Sequence, residues 1–165
     1  MSLVKTTLIK TLKISLSVLL IIGLTACMSL GNLTYKQARM LKKEGFTLTE
    51  EGWTLRLPER LLFDFDQSNI QDTKKTEIIQ LSERLQKYHL DKIKIVGHTD
   101  SIGAPEYNNK LSLQRAESVA AIFTTTGFNP QNIQTIGRGA AKPLAPNDTE
   151  ENRALNRRVN IIIIP

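Results

Sequence analysis

The stretch that decides the fold is VGHTDSIGAPEYNNKLSLQRAESV, residues 96–119. Its start completes a short apolar strand expected over 93–97. Pro105 opens a helix, at a position where its missing N–H costs nothing. Leu113, Ala116, Ala120 and Phe123 then recur at helical spacing, and Gly127 closes the element. Asp100 thus follows a strand, and Leu111 and Arg115, four apart, share one helix face. Gly97 and Gly103 permit sharp turns between the two elements. A turn over 101–105 folds the Leu111–Arg115 face back over Asp100. Loops at strand ends, held by a rigid sheet, are common places for binding groups.

Outward from this unit the periodicity continues. Residues 72–88 carry Ile78, Leu81, Leu85 and Tyr88 on one helical face. Strands are expected at 61–65, 133–136 and 159–164, and a short helix at 151–156. Residues 34–44 read as a helix in which Thr34 and Gln37 have capping-box spacing and Gly45 is the C-cap. Residues 46–57 alternate apolar and polar side chains around Glu51-Gly52, which suggests a hairpin. The order β-α-β-α-β-(α)-β predicts an α/β (α+β) sandwich with helices on a mixed sheet, preceded by a helix and a small hairpin.

The N-terminus reads differently. Lys5, Lys10 and Lys13 precede an apolar run of eleven residues, 14–24. A bilayer span needs about 20 residues, so this run suits the core of a signal peptide that covers 1–26. Leu24-Thr25-Ala26-Cys27 follows and resembles the lipobox of bacterial lipoproteins. That likeness implies cleavage, lipidation of Cys27 and, since Met28 is not aspartate, an outer-membrane address with the domain facing the periplasm. The alternative is an ordinary cysteine after a short anchor. Cys27 is the single cysteine, so no intrachain disulfide forms and the fold stands on its core.

Of 22 basic residues the leader holds three lysines, leaving 19 basic against 16 acidic, or +3. With no long basic run and 5% aromatic residues, nucleic acid is a poor partner. His98 reads as a packed strand-end histidine, and no ligand cluster surrounds it, so no metal or cofactor is expected. Residues 137–142 (GRGAAK) lack phosphate-loop spacing, with Pro143 where Ser/Thr belongs. Asp64 and Asp66 are the one near carboxylate pair that a hydrolase could use.

Several spaced motifs carry a family resemblance. Thr99-Asp100-x-x-Gly103, Asn108, Leu111-Ser112 and Arg115-Ala116 resemble the central motif of OmpA-like peptidoglycan-binding domains. Gly137-x-Gly139 with Pro143, Asn156-Arg157-Arg158-Val159 with Ile161, and Phe63-Asp64-Phe65 with Ile70 resemble its other motifs. The likeness covers about residues 58–165. It implies a non-enzymatic domain that grips meso-diaminopimelate of the peptidoglycan stem peptide. Asp100 would accept the ligand ammonium and Arg115 would hold its carboxylate, with Leu111 and backbone N–H groups near Asn69 and Ile70 shaping the pocket and Arg158 at its edge. A zwitterion needs one anion and one cation at fixed separation, and the planar guanidinium fork binds two carboxylate oxygens. Asn108 is either a ligand contact or a turn-fixing residue. Arg157 and Arg158 are either solvated or paired with Asp64 or Asp66.

Residues 38–53 (ARMLKKEGFTLTEEGW), within a lipidated tether, helix and partner segment over 27–57, resemble the corresponding segment of the YfiB lipoproteins. That narrower likeness implies capture of a periplasmic YfiR-type repressor, which frees a YfiN-type diguanylate cyclase and so feeds cyclic-di-GMP signalling. Tyr35, Leu41, Phe46 and Trp53 are the candidate partner residues, with core packing the alternative for the apolar ones. Peptidoglycan-associated lipoproteins, which are structural anchors, are the near relatives.

Overall fold

The computed structural model describes residues 33–63 and 68–165. The expectations for the signal segment, Cys27, residues 28–32, Phe65, and Asp64 and Asp66 lie outside the described residues.

Ahead of the sheet-bearing unit, Arg39–Pro165, the chain shows the expected capping box. The Thr34 N–H donates to Gln37 Oε1 at 2.9 Å, and the Gln37 N–H returns to Thr34 Oγ1 at 3.3 Å. It starts helix α1, Tyr35–Lys43, which ends in Lys42 and Lys43, favourable charges for a helix C-terminus.

Five strands form one mixed sheet. Strand β1 (Thr47–Thr49) pairs antiparallel with β2 (Gly52–Pro58), and β2 pairs antiparallel with the last strand. Strand β3 (Ile93–His98) lies between that last strand, β5 (Arg158–Ile163), and the parallel β4 (Ile133–Gly137), giving the order β1-β2-β5-β3-β4. Every residue of β5 is buried, which suits a central strand whose sequence, RVNIII, does not alternate. Helices α3 (Asp72–Lys87) and α4 (Pro105–Thr125) pack against each other, and α4 lies on β3 and β4. Ile78, Leu81 and Leu85 of α3, Ala116, Val119, Ala120 and Phe123 of α4, and Ile93, Ile95, Ile161 and Ile163 on one face of the sheet are all buried. Burial of such side chains contributes about 1.5–3 kcal/mol each.

The fold is the α+β mixed-sheet class that the sequence predicts, with one correction. The strand expected at 61–65 does not form over its described part. Residues Glu59–Leu62 make a single helical turn, α2, closed by the Phe63 N–H to Glu59 O at 2.9 Å. Phe63 makes only an isolated bridge to Ile70. The sheet position is taken by β2, the second arm of the hairpin, with Leu55 opposite Ile161 and Leu57 opposite Val159. Pro58 ends β2, and the apolar Leu61-Leu62 pair, read as strand, serves a turn that buries Leu62 and leaves Leu61 exposed.

Two glycines let α4 sit close to the sheet. A Cβ on Gly97 would overlap the Ser112 carbonyl, and one on Gly137 would lie 2.6 Å from Asn109 O. These approaches hold the first turns of α4, and therefore Arg115, against the end of β3.

Candidate functional site

At the end of β3 the chain turns on Asp100. The Ile102 N–H donates to Asp100 Oδ1 at 2.9 Å, closing an Asx turn that fixes the carboxylate. Asn108, buried on the first turn of α4, donates through Nδ2 to Ile102 O at 3.0 Å and to Asp100 O at 3.4 Å. Its amide nitrogen thus serves loop carbonyls, and Asn108 also lines the pocket. Behind the loop, Thr99 N–H donates to Gly139 O at 2.9 Å, and Ser101 N–H to Asn147 Oδ1 at 3.2 Å.

The loop forms one wall of a cavity of about 790 Å³, within the range of ligand pockets. Asp100, Asn108, Leu111 and Arg115 all line it, together with Glu59, Phe63, Tyr107, Glu150 and Arg157. The two charges singled out from the sequence therefore share one pocket. Arg115 is buried, at 3% exposure, and its guanidinium stands 5.3 Å from the Phe63 ring centroid, a cation–π contact. It is ion-paired with Glu59 of α2.

Arg157 is the second guanidinium of the site. Its Nη1 donates to Asp100 Oδ2 at 2.7 Å, its Nη2 to Glu150 Oε1 at 2.5 Å, and its Nε lies 2.9 Å from Glu59 Oε2. Burial works against the Arg157 charge, but the hydrogen bonds to Glu150 and Asp100 outweigh it and hold its pKa above the ordinary value. The same contact with Arg157, then that with Arg153, holds the exposed Glu150 carboxyl below its usual range.

Three expected site residues fall elsewhere. Arg158, expected at the pocket edge, is buried on β5 away from the pocket lining. It donates to Asn156 O at 3.0 Å and Lys142 O at 3.1 Å. Burial, then repulsion from Arg56 and Arg138, lowers its pKa to about 10. The physical reason is strand parity: Arg157 precedes β5 and faces the pocket, and the next side chain points the other way. Ile70 is buried against Phe63 and Asn69 is exposed, and neither lines the cavity, whereas their neighbour Gln71 does. Among the candidate partner residues, Leu41, Phe46 and Trp53 are buried and only Tyr35 is exposed, so the four do not form one surface patch.

The sequence reading missed Glu59 and placed Arg157 no nearer the site than Arg158. No periodic signal marks Glu59, which enters the pocket from a turn that the strand expectation did not contain. Among the described residues no group of three potential ligands could hold a metal ion, and no helix is long and apolar enough to cross a membrane.

Comparison with known proteins identifies the family. The model of the OmpA family matches residues 62–157. The outer-membrane lipoprotein YfiB of Pseudomonas aeruginosa is 36% identical over 147 residues, covering 87% of this chain and 88% of that protein. The peptidoglycan-associated lipoprotein from Burkholderia pseudomallei superposes with a TM-score of 0.57 at 31% identity, covering 63% of this chain and 88% of that one. The cell wall anchor of the T6SS from Pseudomonas aeruginosa superposes with a TM-score of 0.63 at 25% identity, covering 78% and 94%. With the family match over more than half its length, and with Asp100, Asn108, Leu111 and Arg115 of one motif lining a single pocket, the chain belongs to the OmpA family.

Proposed function

We propose that this protein is an outer-membrane lipoprotein, anchored through Cys27, that binds peptidoglycan in the periplasm. The observation that carries the reading is the placement of the Asp100 carboxylate and the Arg115 guanidinium in one open pocket. One anion and one cation suit the zwitterionic end of meso-diaminopimelate, its ammonium on Asp100 and its carboxylate on Arg115. Leu111 and Phe63 give the pocket apolar wall for the ligand's methylene stem. The protein acts as a binder and not a hydrolase. Each of the pocket's three described carboxylates, Glu59, Asp100 and Glu150, is ion-paired to arginine, which suits electrostatic recognition and not general acid catalysis.

The test is co-sedimentation with purified sacculi. Asp100→Ala and Arg115→Ala should each weaken binding by about 2–5 kcal/mol, because one charge of the ligand is left unpaired in a partly desolvated site. Variants that fold and still sediment as the unsubstituted protein does would overturn the assignment. Cys27→Ser should move the protein from the membrane fraction to the soluble periplasm.

The finer role is capture of a YfiR-type periplasmic repressor and consequent release of a YfiN-type diguanylate cyclase. The similarity to YfiB along most of both chains supports it. A second reading, a structural anchor of the peptidoglycan-associated type, is favoured by the burial of Leu41, Phe46 and Trp53. A pull-down of periplasmic proteins on the lipid-free chain separates the two: a retained repressor encoded beside a cyclase supports signalling, and its absence supports the anchor.

A further inference from the structure

The charges of the pocket are already paired with one another. Arg115 carries a carboxylate, that of Glu59. Asp100 carries a cation, the Arg157 guanidinium at 2.7 Å. Glu59 and Arg157 are joined by a 2.9 Å ion pair. We infer that Glu59 and Arg157 form a built-in stand-in for the zwitterionic ligand, and that the Glu59 side chain must swing off Arg115 before a ligand carboxylate can take its place. The inference rests on the proposed binding of a zwitterion between Asp100 and Arg115.

Three observations make Glu59 the displaceable partner. It is the outer one: its side chain is 14% exposed against 3% for Arg115. Its Oε2 has the charge of Arg157 at 2.9 Å but no aligned hydrogen bond, so part of its hold is undirected attraction. Its backbone, in contrast, is fixed by the Glu59 N–H to Arg157 O at 3.1 Å, so the motion needed is a rotamer change and not a rearrangement of α2. Arg115 cannot offer the same motion, since it is buried on α4 over the Phe63 ring. The arrangement keeps a carboxylate against a buried guanidinium, a charge that is costly to bury without one. It also favours ligands that replace both charges. A simple carboxylate takes over only the Glu59 role, whereas a zwitterion can take over both.

The experiment is calorimetric titration of free meso-diaminopimelate into the unsubstituted protein, Glu59→Gln, Glu59→Asp and Asp100→Ala. If the open state is a minor one, populated at about 10%, freeing Arg115 raises the apparent affinity about tenfold. Glu59→Gln should therefore bind about tenfold more tightly. Glu59→Asp, one methylene short of spanning both arginines, should fall between. If Glu59→Gln does not fold, as its thermal melt will report, Glu59→Asp carries the test. Equal or weaker binding by the folded Glu59 variants overturns the stand-in. Loss of binding by Asp100→Ala with unchanged Glu59 variants sinks the stand-in alone, and retained binding by Asp100→Ala sinks the site assignment beneath it.

Discussion

Asn156, Arg157 and Arg158 are consecutive, yet they serve two regions with opposite logic. Arg157 faces an open pocket and its contacts are to carboxylates: Asp100, Glu59 and Glu150. Asn156 and Arg158 face the loop between β4 and α5 (Glu150–Asn156), and most of their polar atoms serve the backbone. Asn156 Oδ1 accepts from Leu144 N–H at 2.7 Å and Ala145 N–H at 3.1 Å, and its Nδ2 donates to Ala145 O at 2.9 Å and Asn147 Oδ1 at 2.9 Å. Arg158 uses a guanidinium to hold two carbonyls and, among the described residues, no carboxylate. Charge paired with charge in a half-open cavity can be exchanged for a ligand's charges. Polar atoms spent on buried backbone cannot, because each lost partner leaves an orphan. The same short motif thus holds one exchangeable residue between two that fix the fold.

The sharpest way to break this contrast is at Asn156. Asn156→Ala removes four hydrogen bonds at a fully buried position and orphans the Leu144 and Ala145 N–H groups. Buried unsatisfied groups cost about 1–3 kcal/mol each, so a loss of about 3 kcal/mol in urea unfolding is expected. Asn147 Oδ1, shared between Asn156 and Ser101, should loosen with it and blur the Asp100 turn. A variant as stable as the unsubstituted protein would show that the loop does not depend on this side chain.

The two arginines sharpen the contrast further. Arg158→Met gives up two charge-assisted hydrogen bonds but also relieves a buried cation repelled by Arg56 and Arg138, so the net loss should be about 1–2 kcal/mol. Arg157→Met removes ion pairs to the mostly buried Asp100 and Glu59 and to the exposed Glu150, and solvent reaching the pocket through the quarter-exposed Arg157 should hold the cost to about 1 kcal/mol. Ligand titration should reverse the order: Arg157→Met changes binding and Arg158→Met, once folded, leaves it alone. If Arg157→Met proves the more destabilising in urea, the pocket is a structural network and not an exchangeable one.

This division also marks where the sequence could be read and where it could not. Helices α3 and α4 were legible because their apolar side chains repeat at a helical period. Asp100 and Arg115 were singled out by the motif resemblance, beside the expectation that a strand end and a helix start bring them near, and they do line one pocket. Residues 61–65 misled because Leu61, Leu62 and Phe63 suit a strand or a turn equally, and only the pairing of β2 with β5 decides between them. Arg158, and not Arg157, was expected at the pocket edge because the parity of a strand is set by its register. That register, with Arg158 opposite both Pro58 and His98, is a long-range property. Glu59 was hidden for the same reason, since its place in the pocket follows from where β2 ends.

The smallest effect concerns His98, on the side of the fold that Arg158 occupies. His98 is buried at the end of β3, and its Nδ1 lies 3.3 Å from Ala141 O, a bond that a neutral ring makes by donating Nδ1–H. Burial first, and the Arg158 charge second, lowers its pKa to about 4 from an ordinary value of 6.5. Between these values the unfolded chain binds a proton that the folded chain refuses. Stability is therefore undiminished above about pH 6.5 and falls as the pH drops towards 4. One proton can contribute at most about 1.4 kcal/mol per pH unit, and relaxation of the fold around the protonated ring should hold the loss to about 1 kcal/mol between pH 7 and pH 5. Glu51 and Glu150, whose pKa values lie below the ordinary 4.5, lose their stabilising contributions only at lower pH, which leaves this window to histidine. Urea unfolding at pH 7 and pH 5 measures the slope, and His98→Gln should flatten it. Binding of meso-diaminopimelate over the same range should hold steady, because His98 does not line the pocket. A pH-dependent affinity that His98→Gln abolishes would mean that the loop side and the pocket side are coupled, and the separation drawn between Arg157 and Arg158 would fail.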